Sequence, residues 1–307
     1  MNFTLKQLRY FDAALRSGSI ARAATEMNIS QSSITAAIDQ IEQTIGAELF
    51  RRIPAKGLIA TELGRAAGKH IAAFLDQSRV FESDLLSLVG DPTGTLRLAC
   101  YEPTAPYVLP PLLRKIADSY PEVRIDVMEG DMLVVNDLLR SGSVDAVLTY
   151  RRYTHPDNRF VPLFRARPWA LIPEHSPLSG QASVTLGDLA AQPLIMLDVH
   201  GTRDYFLTMF QNQGLTPDIV HSTKSGAVLR GLVGAQFGHA ILNICGPNDR
   251  DRQGGYIATP IAGEVDVPLY GIAYAPQLEN SAVVRAIIDT GTALARQGTF
   301  EHLLMEP

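Results

Sequence analysis

The first ninety residues place apolar side chains at helical spacing. Leu5, Leu8, Phe11 and Leu15 fall on one face, and Ser17-Gly18 ends that segment. Ser19 stands where it can cap a second, short helix from Ile20 to about Met27, with Ala21 and Ala24 as its small packing face and Asn28 closing it. Ser30 stands where it can cap a third helix, on which Ile34, Ile38, Ile41 and Ile45 recur before Gly46 stops it. A short Ala-rich helix joined by about three residues to a longer one is the helix-turn-helix pattern, in which small residues let two helices cross closely. Leu49-Phe50-Arg51-Arg52 and Lys56-Gly57-Leu58-Ile59-Ala60-Thr61 read as a short β wing. No proline interrupts Glu62 to Val89, where Ile71, Phe74, Ser78, Phe81, Leu85 and Leu88 step by three and four. Such an a/d seam, broken only by Ser78, predicts a helix of roughly 40 Å that pairs with a second chain or packs on its own domain.

The text changes near Asp91-Pro92-Thr93-Gly94. Of the 19 prolines, 17 lie beyond residue 92, among short β-branched runs that alternate with helical ones. Thr95 to Cys100 reads as a strand that meets Tyr101-Glu102-Pro103-Thr104-Ala105-Pro106, after which Val108, Leu109, Leu112, Leu113 and Ile116 continue helically. Thr104 is therefore expected to cap a helix at a strand's carboxyl edge. Pro193–Leu197 leads in the same way through His200-Gly201 to Thr202 and a helix, Ser225 opens another, and a strand Val144–Thr149 ends in Tyr150-Arg151. Ligands of open α/β sheets bind beyond the carboxyl ends of the strands, where helix N-termini favour anions. Thr104, Thr202 and Ser225, brought together, would make a small carboxylate-binding cleft; each alone is equally a plain structural cap.

Composition sharpens the division. A length of 307 residues suits two domains or a little more. The net charge of −5 argues at first against nucleic acid, yet residues 1–70 hold nine Lys/Arg against six acids, +3, leaving 18 against 26, −8, for the rest. No apolar run reaches about 18 residues, and Met1-Asn2-Phe3-Thr4-Leu5-Lys6 does not open a secretory signal, so a cytoplasmic protein without a membrane partner is expected. Cys100 and Cys245 are too few for a disulfide scaffold, which fits a reducing compartment. Seven scattered His residues lack Cys or carboxylate partners at ligand spacing, and no nucleophile elbow or Gly-rich phosphate loop occurs; no metal, cofactor or catalytic residue is expected. On the third helix the isoleucines leave Gln31, Ser32, Thr35, Ala36, Asp39 and Gln43 on the opposite face, side chains suited to base edges in a major groove. Arg51, Arg52 and Lys56 could meet phosphates. From spacing alone, a plain three-helix bundle with solvated charges remains open.

Residues 3–65 resemble the winged-helix head of LysR-type transcriptional regulators. The resemblance runs through Leu8-Arg9-Tyr10-Phe11, Ser17-Gly18-Ser19, Ala23-Ala24, Ser30-Gln31, Ile38, Ile41-Glu42, Gly46 to Arg51 and Thr61-Glu62-Leu63-Gly64. Residues 94–300 resemble the same family's effector domain in Tyr107 to Leu113, Tyr120-Pro121-Glu122-Val123, Glu129-Gly130, Leu138 to Gly142, Val144-Asp145 and Leu232 to Gly238. The resemblance implies an α/β fold overall: a winged helix-turn-helix over 1–61, a dimerising linker helix over 62–90, and a two-lobed effector domain over 91–307 like type 2 periplasmic binding proteins. Its first lobe would span about 94–165 and 270–307, its second about 166–269, with crossovers near Leu163–Trp169 and Val267–Ala273.

The implied function is DNA-binding regulation: an inverted-repeat operator as double-stranded DNA partner, a small carboxylate-bearing effector in the cleft, self-association as dimer and tetramer, and contact with RNA polymerase. The candidate DNA contacts are Arg22, Ser30, Gln31, Ser32, Thr35, Ala36, Arg51, Arg52 and Lys56. The candidate effector contacts are Tyr101, Glu102, Pro103, Thr104, Met132, Thr149, His200, Thr202, Arg203, Ser225, His239 and Asn243, with Arg203 equally readable as a solvated side chain. Ala36 stands where the family usually has Arg, Arg22 where it has Ser or Thr, Gln236 for a usual Gly and Asn243 for a usual Pro. Some members sense peroxide through a cysteine just after a His; here Gly201 follows His200, so that chemistry is not implied. Two other readings stay open: a small-molecule-binding or enzymatic domain with an incidental helical head, and a thiol redox sensor.

Overall fold

The computed structural model describes residues 3–53, 57–86, 91–251 and 253–305. The chain divides into two compact units, Met1–Leu85 and Leu86–Pro307.

In the first unit, Thr4 opens helix α1 (Leu5–Ser17) through a reciprocal box: its hydroxyl accepts from Gln7 N–H while the Gln7 side chain accepts from Thr4 N–H. Ser19 and Ser30 cap α2 (Ile20–Glu26) and α3 (Gln31–Ile45), accepting from Arg22 N–H and Ser33 N–H. Strand β1 (Phe50–Ile53) pairs antiparallel with β2 (Gly57–Ala60), and α4 (Glu62–Leu86) follows. The Glu42 carboxylate accepts from Leu49 N–H at 2.6 Å and Phe50 N–H at 2.9 Å, tying α3 to the wing. Gly64 allows α4 to start against the wing, since a Cβ there would lie 1.9 Å from Leu49 O. Phe11, Ala23, Ala24, Ile34, Ile38, Ile41, Leu49 and Leu58 fill the core.

Three expectations need correction. Ala21 is exposed and Ala23 takes its place in the α1–α2 packing. Ile45, one turn past the core, is 48% exposed. Ile71 turns into the core of the head, so the exposed apolar stripe of α4 runs through Phe74, Phe81 and Leu85, with Leu63 also exposed. Leu88 and Val89 lie outside the described residues.

The second unit carries two sheets. The first has strand order β4-β3-β5-β12-β6, from β3 (Gly94–Tyr101), β4 (Val123–Gly130), β5 (Ala146–Tyr150), β6 (Arg159–Arg165) and β12 (Leu269–Tyr274). β3 runs parallel to β4 and β5, and β12 antiparallel to β5 and β6. Around it lie α5 (Ala105–Ser119), α6 (Met132–Arg140) and the returning α10 (Ala282–Arg296). The second sheet has order β10-β7-β11, from β7 (Trp169–Pro173), β10 (Ala240–Leu242) and β11 (Tyr256–Pro260). The parallel pair β8 (Pro193–Leu197) and β9 (Asp218–Thr223) joins it through a bridge between Leu194 and His239. Helices α7 (Leu186–Ala190), α8 (Thr202–Asn212) and α9 (Gly226–Gly234) belong to this lobe. The chain crosses between the sheets after β6 and before β12, where Ala166 N–H donates to Pro268 O, so the two crossovers are held side by side. This is the two-lobed α/β arrangement the resemblance implied.

Candidate functional site

On the head, α3 presents Gln31, Ser32 and Ala36 exposed and Thr35 half-buried, opposite the buried isoleucines. The Ser30 hydroxyl is taken up by its cap and by contacts of 2.8 and 2.9 Å with Ser32 and Ser33. Arg22 donates to Ser17 O, and a guanidinium has further donors to offer. Arg51 is exposed on β1. The Arg52 side chain and Lys56 lie outside the described residues. A helix face of short hydroxyl and amide groups can reach base edges in a major groove, with exposed arginines beside it to meet phosphates.

In the second unit a cavity, partly open to solvent, lies between the two lobes. The first lobe supplies Tyr101 and Tyr150 from the ends of β3 and β5, Pro103 and Thr104 from the turn after β3, Met132 from the start of α6, and Arg152 and Tyr153. From the second come Leu197, Gly201, Thr202, Tyr205 and Phe206 around β8 and α8, Gly226 and Arg230 of α9, and Leu242 at the end of β10 with Asn243 and Ile244 after it. Strand ends and helix starts therefore converge as the open-sheet rule requires.

Three ties cross this cleft. The Tyr101 and Thr202 hydroxyls are hydrogen-bonded, Tyr153 donates to Gly201 O, and Arg152 pairs with Asp266. Gly201 adopts φ +81°, and a Cβ on it would lie 2.8 Å from the Tyr153 ring and 3.3 Å from Met132, so only glycine lets the lobes approach this closely.

The electrostatics are balanced. Arg230 meets Asp249 through Nε at 2.6 Å and Nη2 at 2.8 Å; burial opposes its charge, and Asp249 more than restores it. Arg152 also lies over the Tyr205 ring at 4.4 Å. Burial raises the Tyr101, Tyr150 and Tyr205 phenols, so they act as neutral hydrogen-bonding groups. Tyr205 donates to Asp266 O, and Asn243 Nδ2 donates to Ala166 O and Tyr205 Oη.

Of the expected effector contacts, Tyr101, Pro103, Thr104, Met132, Thr202 and Asn243 line the cavity. The others do not. Glu102 and His200 face solvent, and Arg203 sits beside Asp198 at 3.5 Å. Thr149 is buried under the site, donating to Met132 Sδ. Ser225 caps α9, but only the following Gly226 reaches the cavity. His239 is in the core of the second lobe, its ring bonded to Ser176 Oγ and Pro193 O, and burial lowers its basicity. Thr104 does stand at the N-cap of α5 but makes no side-chain cap bond, and the expected Thr202 cap is corrected. A 3-10 turn, Glu102–Thr104, precedes α5, and the Thr104 hydroxyl turns inward, donating to Tyr101 O and bonding Tyr270 Oη at 2.6 Å. Gly201, not Thr202, is the cap of α8. Sequence reasoning missed Tyr150, Arg152, Tyr153, Tyr205 and Arg230. The strand-end rule could have found the first three, because Tyr150 ends β5 and Arg151-Arg152-Tyr153 follow it directly.

Both thiols are buried, and burial pushes Cys100 up to about 12 and Cys245 to about 11, so neither is a ready thiolate. Among the described residues no group of three or more His, Cys, Asp or Glu could hold a metal ion, and no helix is long and apolar enough to cross a membrane.

Comparison with known proteins bears on both halves. Residues 5–65 match the model for the bacterial regulatory helix-turn-helix protein of the lysR family, and residues 90–295 match the LysR substrate binding domain. A RuBisCO operon transcriptional regulator from Allochromatium vinosum is 34% identical over 70% of this chain and 71% of its own length. The crystal structure of HinK, a LysR family transcriptional regulator from Pseudomonas aeruginosa, superposes with TM-score 0.63 at 29% identity, covering 95% of this chain and 99% of that one. A full-length OxyR variant from the same organism, 21% identical, shares the fold with TM-score 0.74 over 94% of this chain and 98% of its own.

Proposed function

Because the chain belongs to the LysR family of DNA-binding transcriptional regulators, with a helix-turn-helix and an effector-binding domain, we propose how its own residues carry those two activities. The helix-turn-helix spans 1–61, residues 62–90 dimerise the chain, and residues 91–307 bind the effector. Two heads related by a twofold then meet an inverted-repeat operator. Gln31, Ser32, Thr35 and Ala36 read bases, with Ser30 capping their helix. Arg22, Arg51, Arg52 and Lys56 neutralise phosphates, and with a head of only +3 the sequence-independent part of the affinity is small. Paired dimers form a tetramer on the DNA, and RNA polymerase is the downstream contact.

The observation that carries the effector reading is the cavity walled by both lobes and bridged by Tyr101–Thr202, Tyr153–Gly201 and Arg152–Asp266. A ligand bound there touches both lobes at once, so it favours the closed state over the open one. That difference in affinity is what a switch requires, since equal binding shifts no equilibrium. The ligand is a small organic acid, its carboxylate favoured by the helix N-termini of α8 and α9. Footprinting of the full-length protein on DNA upstream of its own gene tests the reading. Protection of a dyad whose extent changes with an added organic acid is expected; protection indifferent to sequence would overturn it.

A further inference from the structure

Two polar atoms of the cleft have no partner among the described residues. Tyr150 is 6% exposed, and its ring is fixed edge-on between Tyr101 and Tyr270, at 5.9 and 5.0 Å, yet its hydroxyl makes no hydrogen bond there. Asn243 is 9% exposed; its Nδ2 is bonded to Ala166 O and Tyr205 Oη, which leaves its carbonyl oxygen at the cavity wall without one. Neither atom is sealed off from the cavity, so both are open to bond a ligand's polar atoms there.

The rest of the wall defines that ligand's body. Tyr101, Tyr150, Tyr153, Tyr205 and Phe206 present five aromatic rings, beside Met132 and aliphatic side chains. A flat ring gains edge-to-face contacts there that an alkyl chain does not. The charge on the ligand is bounded too. Both cations at the cavity are already matched, Arg230 by buried Asp249 and Arg152 by Asp266. A second negative charge would therefore enter without a counter-charge, while one is accommodated by the helix N-termini at Gly201 and Gly226.

Building on the effector reading above, we infer that the cleft takes a small aromatic monocarboxylate, anchored by the Tyr150 hydroxyl and, through a ring hydroxyl, by the Asn243 carbonyl oxygen. Phosphorylated ligands and aliphatic dicarboxylates are excluded by the same charge balance.

The test is titration calorimetry on the full-length protein with benzoate, the three hydroxybenzoate isomers, hexanoate and adipate. At least one hydroxybenzoate should bind tenfold or more tighter than hexanoate and adipate. Tyr150→Phe, which removes one oxygen, should weaken that ligand about tenfold while the unliganded melting temperature stays within about 2 °C. If Tyr150→Phe melts lower than that, Tyr150→Trp, which keeps an aromatic ring but not the hydroxyl, replaces it in the same comparison. Adipate or hexanoate binding as tightly as the aromatic acids, or unchanged affinity without the hydroxyl, overturns the inference. No binding of any probe by a protein that still selects an inverted repeat also overturns it and leaves the regulator reading intact; loss of DNA selectivity is the separate failure of that reading.

Discussion

Asp249 is the most loaded single group beside the cleft, and replacing it by Asn tests the electrostatic picture quantitatively. The residue is 2% exposed and its carboxylate accepts four hydrogen bonds: two from Arg230, at 2.6 and 2.8 Å, one from Gly246 N–H at 2.7 Å and one from Tyr256 Oη at 3.1 Å. It thereby joins α9, the turn Pro247–Asp249 and β11. Asn keeps the shape and loses the charge, leaving Arg230 buried with no counter-ion. Breaking a buried pair costs about 3–5 kcal/mol; because the Arg230 side chain keeps 18% of its exposure, the lower end, about 3 kcal/mol, applies. In a unit of this size that is a fall in melting temperature of roughly 6–12 °C, readable by calorimetry on the full-length protein. The cause is isolated by a second change. Arg230→Met alone and Arg230→Met with Asp249→Asn complete a cycle, and the double variant should be more stable than Asp249→Asn alone. Asp249→Asn should also raise affinity for adipate, since a cation at the cavity is released. A fall of less than about 2 °C, or strictly additive single effects, would refute the reasoning.

Other parts of the molecule yield independent outcomes. Burial lowers His239 below its free value of 6.5, so as pH falls below that value the unfolded chain takes up a proton the native ring resists, and stability falls with it. Melting temperature should therefore drop between pH 7 and 5, and His239→Gln should flatten that dependence; identical slopes would show that the ring does not contribute. Native protein at pH 8 should react with a thiol reagent far more slowly than unfolded protein, and Cys100→Ser and Cys245→Ser should leave DNA binding unchanged; fast native labelling would restore the redox reading. Phe81→Glu, on the exposed stripe of α4, should convert dimers to monomers in sedimentation analysis without lowering the melting temperature of the effector unit; a persisting dimer would place the interface elsewhere.

The parts legible in the sequence are those governed by neighbours a few residues apart. Ser19 and Ser30 cap as expected because a serine hydroxyl reaches the N–H three residues on, and Gly18 and Gly46 adopt the left-handed conformation that ends a helix. Thr104 and Thr202 carry the same local signal, but their hydroxyls find partners 166 and 101 residues away, Tyr270 and Tyr101. A cap cannot be told from such a tertiary bond by spacing alone. Ile71 illustrates the same limit: its heptad position suits a face that pairs with a second chain as well as one that packs on the head, and only the position of the first three helices decides between them. The cleft was legible as a place, from strand ends and helix starts. Its chemistry was not, because Tyr205, Arg230 and Asp249 come from segments without a motif and find their partners only when the second lobe folds, Tyr205 with Asp266 and Asn243, and Arg230 with Asp249.

Operator recognition is tested most directly by selection of random duplex DNA with the full-length protein, followed by affinity measurement on the enriched sequence at stated salt. An inverted repeat is expected, with half-sites one helical turn or a multiple apart. Its affinity should exceed that for scrambled DNA about a thousandfold or more, and it should fall when Gln31 or Thr35 is replaced by Ala. Enrichment of no motif, or equal affinity for scrambled DNA, would contradict the assignment of the α3 face and the dimer to operator recognition.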